Sequence, residues 1–233
     1  MVHQVLQRFG FTYSLPESTP LPTGHLLSAP PSDESVELSG PYPELVGYLM
    51  YLMTCTRPDL AYLLSILACY VAPRRYRPEQ WEAAKRVLHY LCSTSGMGLL
   101  LGGRGPVVLT KHADASWVDD LATQRSSQGY TFSLGSGSVS WRSTLSSSVL
   151  ISSCEAEIYA WAMAAQKLRG LTYLLTDLRE QPRSSPVLYV NNKAMIALCQ
   201  EQIGAQNEAH HSALLSCSRV AAAWSASSCL RGH

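Results

Sequence analysis

Residues 107–114 read VVLTKHAD, an apolar and β-branched run that ends in a single carboxylate, Asp114. A Ser-rich segment further along opens a helical pattern that carries Glu157, and a second apolar run from Val187 ends at Asn191. Two of these polar residues therefore stand at strand tips, and the third stands near a helix start. The alternation of strand, helix and strand predicts an α/β domain whose polar side chains converge at one place.

Short β-like runs separated by Gly and Ser surround the first strand. The candidate strands are Val107–His112, Gly129–Leu134 and Ser138–Arg142. The last two are joined by Gly135, Ser136 and Gly137, which predict a tight hairpin turn. Pro186 opens a further strand that runs through Val190. We expect these strands to form one mixed sheet.

The helix that carries Glu157 begins at a capping box, in which Ser152 is followed three residues later by Glu155. The helical pattern continues to about Arg169. Glu157 shares one stripe of this helix with four apolar or aromatic residues: Trp161, Ala164, Leu168 and Leu171. The stripe predicts that a carboxylate lies on the face that meets the sheet, where it is costly without a partner.

The first half of the chain is helical in pattern. One helix is predicted over Glu44–Thr54, a second after Pro58, and a third that has Pro78 in its first turn and ends by Gly96. The first two are apolar, but each apolar run is shorter than the ~20 residues that a membrane span needs. We therefore expect core helices and no membrane partner.

The two ends of the chain lack a sustained period. Residues 1–40 contain a Pro/Ser/Thr-rich stretch, Leu15–Pro31, which predicts a loop or an extended arm whose order comes from a neighbouring element. After Ile203 the composition shifts to Ala, Ser, Cys and Arg, and the adjacent His210 and His211 match no ligand spacing. We expect residues 204–233 to be an aberrant or disordered tail, of the kind that out-of-frame translation produces.

Composition excludes several classes of protein. The 233 residues are 46% hydrophobic and 15% charged, with a net charge of +1, which fits one or two globular domains without a broad basic surface. Seven cysteines form no zinc spacing, so we expect buried free thiols in a reducing compartment. No secretory signal opens the chain, which favours a cytoplasmic or nuclear protein that is not secreted.

Ordered motifs along residues 7–200 resemble copia-type retrotransposon Pol polyproteins. Thr56–Asp59 and Ala84–Leu91 are similar to the segment that ends the reverse transcriptase region. The motifs that resemble the ribonuclease H domain of those polyproteins are Ala113–Trp117, Arg125–Tyr130, Val139–Trp141, Ser152–Glu157 and Tyr189–Ala194. The resemblance implies a ribonuclease H-like mixed sheet with flanking helices over residues 105–203, preceded by a mainly helical connection region over residues 41–104.

The resemblance also implies the chemistry of the site. Asp114 and Glu157 match two carboxylates that bind Mg²⁺ for hydrolysis of the RNA strand of an RNA–DNA hybrid. Asn191 stands where the third carboxylate is expected, and the Lys-His-Ile motif that precedes the fourth is not present. An amide in place of a carboxylate removes one negative charge, which weakens Mg²⁺ binding. We therefore expect a degenerate, inactive fragment whose ancestral partners are nucleic acid and the remainder of the Pol polyprotein.

Two alternatives to an inactive fragment remain open. In the first, the domain is a non-catalytic module that binds nucleic acid or protein, with Arg74, Arg75 and Arg77 as the basic group beside aromatic residues. In the second, a weakly active two-metal enzyme replaces the third carboxylate by Asp119 or Glu155. The segment Trp117–Asp120 resembles a polymerase turn, but it lacks the upstream palm sequence and is expected to be a solvated acidic loop.

Overall fold

The computed structural model describes residues 1–22, 40–72, 76–102, 109–120, 123–180 and 187–189. The chain divides into two compact units. The first unit contains residues 1–99 together with residues 118–125 and 143–149. The second unit contains residues 100–117 and 126–142 and the residues that follow position 149. Each unit has its own cluster of buried apolar residues.

The first unit contains four α-helices among the described residues. They are α1 (Val2–Phe9), α2 (Tyr42–Cys55), α3 (Ala61–Leu67) and α4 (Pro78–Ser93), with short 3-10 turns at Pro58–Leu60 and Ala68–Tyr70. All three predicted helices are therefore confirmed. The long apolar runs form α2 and α3 because most of their leucines face one shared core. No described helix is long and apolar enough to cross a membrane.

The expectation of a loop or extended arm over residues 1–40 is wrong for residues 2–9, which form α1. Val2, Val5, Leu6 and Phe9 recur at helical spacing, and Val5 and Leu6 are buried in the core of the first unit. The helix ends at Gly10, whose φ of 77° lies in the left-handed region that favours glycine. A single two-turn amphipathic pattern beside a Pro-rich stretch was too short to stand out in the sequence.

Residues 11–22 lack regular secondary structure, as predicted, and they are tied to α4. The Arg86 guanidinium donates two hydrogen bonds of 2.7 Å to the Glu17 carboxylate. Ser93 Oγ donates to the carbonyl of Glu17 at 2.6 Å, and His89 Nδ1 lies 2.9 Å from the carbonyl oxygen of Leu15. The order of this arm therefore comes from a neighbouring helix.

A buried guanidinium links the start of the α3 region to the end of α4. Arg57 is 1% exposed, and its Nε and Nη2 donate to the Asp59 carboxylate at 2.7–3.2 Å. Its other donors reach the carbonyl and hydroxyl oxygens of Thr94 at 3.1 and 2.8 Å. The Tyr90 hydroxyl donates to the same Asp59 carboxylate at 2.8 Å. The charge of Arg57 is thus paired, which is the condition for burying it.

The sheet contains β1 (Leu109–Asp120), β2 (Arg125–Leu134), β3 (Gly137–Val149) and β4 (Val187–Tyr189) in the order β3-β2-β1-β4. The first three strands are antiparallel, whereas β4 pairs in parallel with β1. Thr110, Lys111 and His112 are level with Val187, Leu188 and Tyr189 respectively. The predicted hairpin and mixed sheet are therefore confirmed. Compared with the sequence pattern, β1 extends further at its carboxyl end, β2 at its amino end and β3 at both ends.

The predicted acidic loop at Trp117–Asp120 is wrong, because β1 continues through Asp120. The Trp117 indole N–H donates to the carbonyl of Leu150 at 3.0 Å, which anchors the strand beyond Asp114. Val118 has a φ of 53°, a conformation that a β-branched residue rarely adopts. This local irregularity interrupts the alternation of residues that the sequence analysis used.

One long helix, α5 (Ser153–Asp177), lies between β3 and β4 in the chain. It ends about two turns later than predicted, because Leu171 and Leu175 continue the same apolar stripe. The buried members of the second core are Leu109, Ala113, Phe132, Ala164 and Leu175. The parallel strands β1 and β4 need a crossover connection, and the chain that links them includes α5, which follows β3 and precedes β4.

The expectation of buried thiols is wrong for the four cysteines that the structure describes. Cys55 and Cys69 are exposed, and Cys92 and Cys154 are partly exposed. Cys92 and Cys154 pack at the margins of the two cores, whereas Cys55 and Cys69 lie outside them, because neighbouring leucines occupy the inner stripe. Apolar sequence context therefore did not predict burial.

Gly137, at the start of β3, is expected to tolerate no side chain. A Cβ atom there would overlap the backbone oxygen of Leu100 and lie 3.0 Å from a methyl group of Leu101. We predict that Gly137→Ala lowers the free energy of unfolding by about 2 kcal/mol, as overpacking typically does. The matched control is Gly47→Ala in α2, where nothing lies within 4 Å, and a helical alanine should stabilise the protein by up to about 1 kcal/mol. Equal urea midpoints for the two variants would contradict the prediction.

Candidate functional site

Asp114 lies within β1, and its side chain is exposed. Its Oδ1 accepts a hydrogen bond of 3.0 Å from the backbone N–H of Ala115. Asp114 lies two residues after His112, the last β1 residue in the described pairing with β4. A carboxylate at this point of a sheet is accessible to a ligand from solvent.

Glu157 is placed by the start of α5. The Ser152 hydroxyl accepts a hydrogen bond of 3.1 Å from the backbone N–H of Glu155, as the capping box predicted. The Glu155 carboxylate in turn accepts a bond of 2.8 Å from the backbone N–H of Ile151. This cap sets the rotation of the helix, so that Glu157 is turned inward and only 6% exposed.

The structure brings Asp114 and Glu157 together. A side-chain hydrogen bond joins the two carboxyl groups. Burial raises the pKa of Glu157, and the negative charge of Asp114 and the hydrogen bond between them raise it further, to about 7. The site therefore favours the protonated form of Glu157 more than water does. The Oε2 atom of Glu157 is buried and has no hydrogen-bond partner within the described part of the chain.

The third predicted position, Asn191, lies outside the described residues. The described part of β4 ends at Tyr189, which is level with His112 of β1. In the sequence, Asp114 follows His112 by two residues, and Asn191 follows Tyr189 by two. Within the residues that the structure describes, no group of three or more His, Cys, Asp or Glu side chains could hold a metal ion.

The basic group predicted at Arg74, Arg75 and Arg77 is only partly described. Arg74 and Arg75 lie outside the described residues, whereas Arg77 is the residue that precedes α4. The backbone N–H of Arg77 donates to Gln80 Oε1 at 2.9 Å. The neighbouring Tyr76 ring stacks on Tyr42 with 4.5 Å between centroids, so this aromatic ring is engaged in the core of the first unit.

The two carboxylates considered as substitutes for the third position differ in what the structure describes. Glu155 accepts the hydrogen bond from Ile151 and so serves as part of the helix cap. It belongs to the first turn of α5, two residues before Glu157. Asp119 lies within β1, but its side chain is outside the described part.

The sequence pattern predicts Trp161 as a packing residue and does not indicate a role for Gln128. Trp161 packs in the second core, yet its buried Nε1 has no partner among the described residues. Gln128 is 7% exposed, and within the same described ranges its Nε2 also has no partner. For Trp161, the signal in the sequence was an indole donor on an apolar stripe, four positions after the carboxylate of Glu157.

Comparison with known proteins supplies the family context. The chain is 35% identical over 208 residues, 87% of its length, to the retrovirus-related Pol polyprotein from transposon TNT 1-94 of Nicotiana tabacum. It is 33% identical over 85% of its length to the Pol polyprotein from transposon RE2 of Arabidopsis thaliana. The chain spans only 15% and 13% of those two relatives.

A shorter relative matches over most of its own length. The secreted RxLR effector protein 161 of Plasmopara viticola is 42% identical over 132 residues, which are 57% of this chain and 92% of that protein. No family model matches the chain. No solved structure matches it either.

Proposed function

Because the chain belongs to the copia-type family of retrovirus-related Pol polyproteins, we propose that its residues 105–203 are a degenerate ribonuclease H-like domain with little or no nuclease activity. Its ancestral substrate is the RNA strand of an RNA–DNA hybrid, and its ancestral cofactor is Mg²⁺. Its ancestral protein partner is the remainder of the Pol polyprotein, of which the chain spans about 15% in the tobacco relative.

The meeting of Asp114 and Glu157 is the single observation that carries this proposal. One carboxylate comes from the strand that pairs in parallel with β4, and the other comes from the crossover helix. They are far apart in the sequence and are brought together by the sheet order β3-β2-β1-β4. Two carboxylates in contact repel each other when both are ionised, and this arrangement is typical of a site for a cation or a shared proton.

The donor set fits a hard divalent cation. Mg²⁺ and Mn²⁺ prefer carboxylate oxygen, and Asp114 and Glu157 supply two such groups in mutual contact. When bound, paired divalent cations supply an activated water and stabilise the leaving oxygen in phosphodiester hydrolysis. The residues of this chain would hold the cation at the Asp114–Glu157 pair.

A weakened site follows from the charge count. The third position holds Asn191, which is neutral, and the proton on Glu157 must leave before both carboxylates can bind a cation. Both factors lower metal affinity near neutral pH. We therefore propose that one cation binds weakly and that hydrolysis of the hybrid is slow or absent.

The test is a binding and cleavage experiment on the full 233-residue chain. We predict that Mn²⁺ raises the thermal unfolding temperature, as any ligand specific to the folded state does, and that Asp114→Asn removes this effect. Cleavage of a labelled RNA–DNA hybrid with Mg²⁺ or Mn²⁺ is expected to stay at the background level of Asp114→Asn.

Three other results would change the assignment. Cleavage by the natural chain that is lost in Asp114→Asn would establish the weakly active enzyme and overturn the inactive assignment. Absence of any Mn²⁺ effect at high pH, where Glu157 is ionised, would overturn the metal site. Tight binding of the hybrid that ignores both metal and Asp114→Asn would support the non-catalytic binding module.

A further inference from the structure

Two polar atoms on the inner stripe of α5 have no hydrogen-bond partner among the described residues. They are Oε2 of Glu157 and Nε1 of Trp161, and both atoms are buried. The two residues are four positions apart in one helix, so their Cβ atoms are neighbours at ~6 Å. An acceptor and a donor thus lie close together on the buried side of Glu157 without bonding each other directly.

Gln128 brings a second donor to the same region. Gln128 lies on the same face of β2 as three residues that pack in the second core with Trp161, because side chains two positions apart in a strand share a face. These residues are Tyr130, Phe132 and Leu134. Because β2 is antiparallel to β1, the start of β2, which contains Gln128, lies beside the end of β1, which contains Trp117. The Trp117 indole bonds the carbonyl of Leu150 just before α5, so Gln128 faces the first turns of α5, which contain Glu157. Its buried Nε2 also has no partner among the residues that the structure describes.

The three atoms have complementary chemistry. The indole N–H and the amide N–H are donors, and the carboxyl oxygen is an acceptor. Leaving a buried polar atom without a partner is costly, so three such atoms in one region would carry a large penalty. One water molecule accepts from both donors and donates to the carboxyl oxygen, and about three bonds is the usual number for a buried water.

We propose that Trp161 and Gln128 are positioning residues that bind one buried water, which donates a hydrogen bond to Glu157 Oε2. This inference rests on the proposed function, because the carboxyl group that the water fixes is the one assigned to the cation. Glu157 Oε1 then remains available to bond Asp114 and to bind the cation. Groups that hold a ligating carboxylate in place usually change metal affinity by about 10–100-fold when removed.

The first test detects the water directly in the full chain. In ¹⁵N-labelled protein, the indole N–H resonance of Trp161, assigned by its loss in Trp161→Phe, is expected to show a through-space cross-peak to water. Gln128→Leu removes one donor of the pocket and is expected to abolish the cross-peak. A Trp161 resonance without a water cross-peak in the natural chain would overturn the proposal.

The second test measures what the water does. Trp161→Phe and Gln128→Leu are expected to weaken Mn²⁺ binding about tenfold by calorimetry, while the folded protein remains folded by circular dichroism. Trp117→Phe is the matched control, because that indole bonds the Leu150 carbonyl instead, and it should bind Mn²⁺ as the natural chain does. If Trp161→Phe does not fold, Gln128→Leu decides alone.

The outcomes separate the two proposals. Equal Mn²⁺ affinity in the natural chain, Trp161→Phe and Gln128→Leu would overturn the positioning role and leave the metal site intact. No Mn²⁺ binding by the natural chain would overturn the metal site, and the water cross-peak would then decide the pocket alone.

Discussion

Replacing Glu157 by glutamine is expected to stabilise the folded chain at pH 7 by about 3 kcal/mol, because the pKa of Glu157 rises from 4.5 to about 7 on folding and each pKa unit is worth ~1.4 kcal/mol. The folded state favours the protonated form, since burial and the charge of Asp114 both oppose ionisation. Glutamine keeps the size and a donor for Asp114, but it has no charge to desolvate.

The sign follows from proton linkage. A carboxyl group whose pKa is raised on folding contributes stability that is fully present below the unfolded pKa of about 4.5 and is lost as the pH rises through about 7. The natural chain should therefore lose stability between pH 4.5 and 7, and Glu157→Gln should remove that loss. Urea unfolding at pH 4 and pH 7 measures it, and equal stabilities of the two proteins at pH 7 would contradict it.

Replacing Arg57 by alanine is expected to destabilise the chain by about 3 kcal/mol, the lower end of the range for breaking a buried ion pair. The guanidinium is 1% exposed, and its removal leaves the Asp59 carboxylate without its cationic partner, although the Tyr90 hydroxyl still donates to it. The carbonyl oxygen of Thr94 also loses its donor. The effect is placed at the lower end because the Asp59 side chain is 29% exposed and water replaces part of the lost interaction.

Two further variants test the cause of that loss. Arg57→Lys keeps the charge but not the planar fork of donors, so it should recover only part of the stability. Arg8→Ala breaks an exposed ion pair with Glu44 and is the control, with nearly unchanged stability. If Arg57→Ala and Arg8→Ala have the same urea midpoint, the buried cluster does not stabilise the fold as described.

The helices and strands were predictable where one residue pattern dominates. The Ser152 cap, the inner stripe of α5 and the helix that begins at Pro78 all follow from local spacing, and the structure has each of them. Local spacing failed at α1, whose pattern lasts only two turns, and at Trp117–Asp120, where the φ of Val118 breaks the strand period. The predicted burial of the cysteines was wrong for the four that are described, because burial depends on which helix face a residue occupies.

The candidate site was predictable only through family resemblance. Periodicity placed Glu157 on the face toward the sheet, but it did not indicate which distant carboxylate it meets. The contact with Asp114 depends on the order of the strands, which no local pattern encodes. The buried donors of Trp161 and Gln128 were not predictable, because an indole or amide on an inner face is usually satisfied.

The parallel pairing of β1 with β4 has a consequence for how the sheet assembles. Thr110 and Val187 become neighbours only after the two hairpins and all of α5 have been traversed, so closing this loop has a larger entropic cost than closing either hairpin. The three-stranded meander can form from contacts that are local in sequence, whereas the fourth strand depends on prior docking of the helix. α5 and β4 therefore form one cooperative unit, and weakening the contact between α5 and the sheet is expected to detach β4 as well.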